Sequence, residues 1–240
     1  MNSFNIENTG ERIIPEKESP LMVARHLCAY EFALRYVTGK KIMDVGCGEG
    51  YGANYLAGHA LEVLAIDYEL SAILAASEKY QRSNLKFQRL DIKDIGSLGE
   101  SFDIICSFQV IEHLKDTDSF LDDIKRLLRP GGFFICSTPN RLDASGHSVV
   151  PLNKFHIKEY LFDEFESMLK SKFKQVELYG LIRGRRLNLY RRAKKIGIFN
   201  IMPPPLDPVK NFYKKISCKD FKLVKDNLPG SLDFIAFCNP

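Results

Sequence analysis

From Lys40 onward the chain alternates short apolar runs with segments of helical period, and this alternation limits the possible folds more than any other feature. The runs are KKIMDV (40–45), EVLAIDY (62–68), LKFQRLD (85–91), FDIICSF (102–108), GGFFICS (131–137), QVELYGL (175–181) and LDFIAFC (232–238). Each has strand length and is rich in β-branched or aromatic residues. Most are apolar on both faces, as strands must be when helices cover a parallel sheet on each side. Helical spacing is predicted over 52–57, 70–80, 117–128 and 159–171. In the third segment Thr117 or Asp118 is the expected cap, and Pro130-Gly131-Gly132 the stop. Strand–helix alternation of this kind implies right-handed βαβ units and a doubly wound α/β sheet.

Two segments fall outside that rhythm. Ser19-Pro20 opens an amphipathic helix predicted to run to about Val37, with Ser19 as N-cap and Pro20 at the first helical position. Residues 183–225 hold 13 Lys or Arg against Asp207 and Asp220 alone, so the net charge of +4 conceals a strongly basic stretch set in an acidic remainder. Pro203-Pro204-Pro205 and Pro208 argue against a long continuous helix there. The expected organisation is an N-terminal segment and cap helix (1–39), a core (40–181), a basic substrate-side insertion (182–231) and a final core strand (232–240). No apolar run approaches the roughly 20 residues that span a bilayer, and the polar N-terminus lacks a signal-peptide pattern. The six cysteines form no CxxC or Cys/His ligand spacing. A reduced, cytoplasmic chain with no metal is the expectation.

The most informative segment is Asp44-Val45-Gly46-Cys47-Gly48-Glu49-Gly50-Tyr51-Gly52, a turn between a strand and a helix. Alternate glycines let the backbone approach a ligand closely, and the exposed N–H groups at the helix start favour a carboxylate or phosphate. The six residues from Gly48 also fit the dinucleotide pattern GxGxxA, which keeps a nicotinamide or flavin enzyme open at this point. Asp67 stands at the end of the second run, where a carboxylate can accept from both ribose hydroxyls, and Asp91 at the end of the third, within reach of an adenine amino group. Blander roles compete: Asp44 can tie down the turn, and Asp91 with Asp94 can be turn residues.

DVGCGEGYG, Asp67, Leu90-Asp91, Val110-Ile111-Glu112-His113-Leu114 and Leu128-Arg129-Pro130-Gly131-Gly132, in this order, resemble the class I S-adenosylmethionine-dependent methyltransferases. Within these the small-molecule, ubiquinone-biosynthesis-like branch is the nearest look, over residues 40–181. Thr9-Gly10-Glu11-Arg12 and Asn153-Lys154-Phe155-His156 followed by Glu159 also resemble relatives from bacterial glycan and cell-surface biosynthesis. The resemblance implies seven strands, mostly parallel with an antiparallel last strand. It places Gly46, Gly48 and Gly50 along the methionine moiety of S-adenosyl-L-methionine, with Asp44 beneath its amino group. Asp67 and Tyr68 then flank the ribose, Asp91 and Ile92 the adenine, and Ser107 and Gln109 the sulfonium end.

For catalysis, His113 and His156 are the candidates for a base or substrate contact, each against an alternative of helix-end packing. His26, Tyr30 and Arg12 are candidate lid contacts. The expected reaction is methyl transfer to a small or glycan-linked acceptor, O-methylation first, with N- or C-methylation or a non-catalytic cofactor-binding module as alternatives. Arg183, Arg185, Arg186, Arg191 and Arg192 suit an anionic substrate, or simply a solvated face. Nucleic acid is the rival partner: Tyr190, Phe199, Phe212 and Tyr213 interleave with the basic residues, but no RNA-binding module is recognisable.

Overall fold

The computed structural model describes residues 13–197, 212 and 215–240. Thr9–Arg12, Phe199, the prolines at 203–205 and 208, and Tyr213 lie outside the described residues. The strands are β1 (Lys41–Val45), β2 (Glu62–Asp67), β3 (Leu85–Arg89), β4 (Phe102–Phe108), β5 (Leu128–Pro139), β6 (Gln175–Arg183), β7 (Phe221–Val224) and β8 (Asp233–Asn239). They form one sheet in the order β3-β2-β1-β4-β5-β8-β6-β7. Pairings from β3 to β5 are parallel, whereas β8 runs antiparallel to both β5 and β6, and β7 antiparallel to β6. The sheet thus has eight strands rather than seven, and two of them are reversed. The extra strand, Phe-Lys-Leu-Val, lies inside the basic stretch; its alternation is short, and Lys222 points to solvent at the sheet edge, where a charge guards against edge pairing.

The doubly wound arrangement follows from the two apolar faces of the central strands. On one face Met43, Val45, Ile66, Ile105 and Phe134 pack against α4 (Thr117–Leu127) and α6 (Phe162–Lys172). On the other, Ile42, Val63, Ala65 and Ile104 pack against α1 (Pro20–Ala33), α2 (Tyr51–Ala57) and α3 (Leu70–Lys79). A smaller cluster, including Ala24, Leu181, Leu187 and Phe221, joins α1 to α7 (Arg185–Lys195) and the β6–β7 edge.

Helix boundaries follow local chemistry. Ser19 caps α1, its Oγ accepting from the Met22 amide at 3.3 Å. That helix stops at Ala33, short of Val37, and Thr38 is then held in a bridge to Ala60. α4 is capped by Asp116, whose Oδ1 accepts from Ser119 N at 2.9 Å, rather than by Thr117 or Asp118. α6 begins at Phe162 and not at Glu159, because Tyr160 is bridged to Asn140 and Glu164 reaches back to the Leu161 amide. All six cysteines are free thiols. No described helix is long and apolar enough to cross a membrane.

Candidate active site

Strand order reverses around β1, whose neighbours are β2 and β4, and open α/β sheets bind ligands in the crevice at such a point. There the chain encloses a cavity of about 890 Å³, within the range of small-molecule sites. Its floor is the turn after β1. Gly46 and Cys47 both donate to the carbonyl of Ile66, drawing the turn against the end of β2. Gly46 has φ +75°, and a Cβ there would meet Val110 at 2.5 Å, so a side chain is excluded twice. Gly50 (φ +86°) instead faces away from the cavity, and a Cβ would strike Phe87 and Ala76. Gly46 and Gly48 line the cavity; Gly50 shapes the turn from behind.

Three carboxylates gather around this turn. Asp67 borders the cavity and accepts from the amides of Gly48 (2.9 Å) and Glu69 (3.0 Å), so it organises the backbone it stands beside. Glu49 is buried beside Lys79 and accepts from the Tyr80 hydroxyl. Asp44 lies beneath the floor, fully buried, where the Tyr30 hydroxyl donates to it at 3.2 Å. Burial raises Asp44 to about 7, against the opposing effect of the Tyr30 hydrogen bond. Asp91 is exposed at the rim, accepting from Lys93 N, and Ile92 lines the wall next to it. Tyr68, about half exposed, lines the same side. Gln109 sits at φ +56°, a conformation uncommon outside glycine, with its amide tied to the Ser137 carbonyl. Ser107 is 1% exposed and not on the cavity wall.

α1 forms the opposite wall. His26, Tyr30 and Tyr51 cluster there, and the Tyr51 hydroxyl meets His26 Nδ1. Enclosure lowers His26 to about 4, so the ring is neutral at pH 7. Arg25, the residue before His26 in α1, grips Asp233 through two bonds of 2.7 Å and the Leu232 carbonyl at 2.8 Å. Sequence reading missed Arg25, Asp233 and Asp143, which are joined only by the fold, 208 positions separating the first two.

At the far end the two candidate histidines meet. Their rings pack edge to face with centroids 4.9 Å apart. His113 Nδ1 lies 2.8 Å from the Phe155 carbonyl, and His156 Nδ1 lies 2.7 Å from Glu159 Oε1. Glu112 and Glu159 are each 1% exposed. Burial, reinforced by the charges of Asp233 and Glu159, raises Glu112 to about 8 despite the Thr138 hydroxyl that donates to it. The cavity therefore has a backbone-rich end and an imidazole–carboxylate end.

Residues 43–136 match the model of a family described as a methyltransferase domain. A probable S-adenosylmethionine-dependent methyltransferase of Mycobacterium tuberculosis is 35% identical over 181 residues, 75% of this chain and 65% of that protein. The chain thus matches just under two thirds of that relative's length. A ubiquinone biosynthesis O-methyltransferase of Cereibacter sphaeroides is 31% identical over 105 residues, 43% of this chain and 42% of its own. Among solved structures, the N-methyltransferase NodS from Bradyrhizobium japonicum in complex with S-adenosyl-L-homocysteine aligns with a TM-score of 0.60. That alignment has 18% identity and covers 93% of this chain and 90% of NodS, a likeness of fold.

Proposed function

We propose that this chain, whose residues 43–136 match a methyltransferase domain, is a class I, S-adenosylmethionine-dependent methyltransferase and that it methylates a small or glycan-linked acceptor at oxygen. The observation that carries this reading is one continuous cavity with the glycine turn, Asp67 and Asp91 at one end and the His113–His156 pair at the other.

The residues fit the donor better than they fit a dinucleotide. Asp67 on the wall and Asp44 beneath the floor set acids against the turn, Glu49 being paired with Lys79, and acids there favour an ammonium and a sulfonium over a pyrophosphate. In this reading the turn at Gly46 and Gly48, which lines the cavity, lies along the donor's methionine moiety, and Asp44 acts on its ammonium group through the floor. Asp67, held at the cavity wall by the amides of Gly48 and Glu69, receives the ribose hydroxyls in this reading. Asp91 and the Ile92 backbone take the adenine, with Tyr68 on the outer wall, and Gln109 lies at the sulfonium end. Ser107 and Gly50 support this arrangement from inside the sheet and behind the turn.

The bound donor supplies an electrophilic methyl group; the chain supplies alignment, which in well-oriented systems is worth roughly 7–11 kcal/mol. An acceptor hydroxyl at this end meets the His113–His156 pair as its contact, with Glu159 fixing the His156 ring through Nδ1. α1 walls the cavity through Arg25, His26 and Tyr30, and Arg183, Arg185, Arg186, Arg191 and Arg192 suit an anionic acceptor.

The test is to titrate S-adenosylmethionine and NAD in parallel. S-adenosylhomocysteine release is then followed with glycan precursors and RNA offered separately with a labelled methyl donor. Label in glycan or small-molecule acceptors is expected. Label in RNA alone overturns the acceptor assignment, and donor binding without turnover in any pool overturns catalysis.

A further inference from the structure

We infer that Glu112, His113 and His156 form a binding site for one divalent first-row transition cation at the acceptor end of the cavity. The inference rests on the methyltransferase reading for its role, not for its existence. One ligand atom from each of the three residues lies within 4.8 Å of the others. They come from two segments, the turn after β4 and the loop after β5. The amides of Ile157 and Lys158 tie these together by donating to the Glu112 carbonyl at 2.8 and 3.1 Å.

The orientation of the imidazoles is that of metal ligands. A carbonyl only accepts, so His113 carries its proton on Nδ1, facing Phe155, and Nε2 keeps its lone pair. His156 turns Nδ1 to Glu159, the carboxylate–histidine pairing that fixes tautomer and raises basicity in metal sites. Its Nε2 meets the side-chain amide of Asn153 at 2.9 Å, a neutral contact that a cation would displace.

The carboxylates supply the second, independent observation. Glu112 Oε1 and Glu159 Oε2 are both buried without a hydrogen-bond partner, on side chains that border the cavity. Buried carboxylate oxygens are ordinarily satisfied, and an orphan in a native fold calls for a missing partner. Arg25, the nearby cation, directs its guanidinium to Asp233, Asp143 and a backbone carbonyl instead. Two imidazole nitrogens with one carboxylate favour zinc, manganese or a similar borderline ion over calcium or magnesium, which prefer all-oxygen sets. Three protein ligands leave positions for an acceptor oxygen, whose pKa a coordinated cation lowers.

The test uses the full chain, stripped with chelator and titrated with MnCl2 by electron paramagnetic resonance and with ZnCl2 by calorimetry. One saturable equivalent is expected. Glu112→Gln and His156→Ala should each weaken it about tenfold or more, and the same samples should keep their affinity for S-adenosylmethionine. Absence of saturable binding by both ions, or binding that both variants leave unchanged, overturns the site. If the donor nucleoside binds and neither ion does, the cation site falls alone; if neither class of ligand binds, the methyltransferase reading falls with it.

Discussion

Asp67 and Glu112 are both buried acids on the cavity wall, yet the physics of each is different. Asp67 is fixed by two amides and borders the cavity, so Asp67→Ala removes a charged acceptor from the proposed ribose position. S-adenosylmethionine binding should weaken at least tenfold, about 1.4 kcal/mol by the scale of a charged hydrogen bond; unchanged affinity in calorimetry removes Asp67 from the site. Glu112 is held near 8 and Asp44 near 7, each well above its unfolded value, because burial disfavours the anion. A folded chain then keeps protons that an unfolded chain releases, so this stability is complete in acid and is lost as pH rises through 7 and 8. His26, lowered to about 4, works in the opposite direction: its contribution is complete above 6.5 and lost as pH falls toward 4. For the ligand-free chain in chelator, Tm should fall between pH 6.5 and 8.5, and Glu112→Gln should flatten part of that fall. A wild-type Tm that is level or rising over this window refutes the assignment. The glycine turn and Asp67 were legible in the sequence because consecutive residues or a strand end place them. Glu112 and His156 carried no joint signal, since 44 positions separate them and only the β4–β5 crossover brings them together. A search for Cys/His spacing consequently expected no metal, and the inference of a cation site runs against that expectation.

Elements were most legible where apolar periodicity was uniform. β1, β2, β4 and β5 appear where their runs predict, as does the doubly wound packing of helices on two sheet faces. β7 was hidden by its four-residue length and by Lys222 at its exposed position, and so the strand count was one short. Ser19 caps α1 as expected, but the cap of α4 was misplaced by a residue or two because several polar side chains in a row can each receive the same helix-start amides. Asp116 is the one whose carboxylate reaches Ser119, and Asp116→Ala should cost about 1 kcal/mol of stability by denaturant unfolding. Thr117→Ala should cost far less, and equal losses would return the cap to Thr117. α1 is clamped to β8 rather than merely packed on it. Arg25→Met cuts both bonds to Asp233 and leaves a 4%-exposed carboxylate behind. With the arginine partly exposed, the loss should be about 2–3 kcal/mol. A loss below about 0.5 kcal/mol, the ordinary scale of a surface change, would show that the clamp holds nothing.

Across the whole molecule, charge is divided unevenly. The glycine turn and the imidazole end are rich in carboxylates, while α7 carries Arg185, Arg186, Arg191, Arg192, Lys194 and Lys195 without an acid. α7 begins two residues after Arg183, the end of β6, and Arg183 pairs with Asp143, a residue of the cavity wall. The basic helix thus departs from the acceptor side of the cavity. A cationic face so placed raises the local concentration of an anionic acceptor more than it changes the chemistry. Arg191 and Arg192 are exposed and have no ion-pair partner among the described residues, so reversing them should leave folding nearly unchanged. For the double variant Arg191→Glu/Arg192→Glu, KM for an anionic acceptor should rise about fivefold at low salt with kcat constant. The difference from the unaltered chain should shrink as ionic strength approaches about 0.5 M, where screening shortens the range of surface charge. A neutral acceptor should show no change in KM. If both acceptors respond alike, or neither does, the basic stretch serves solubility and the acceptor's charge is read elsewhere.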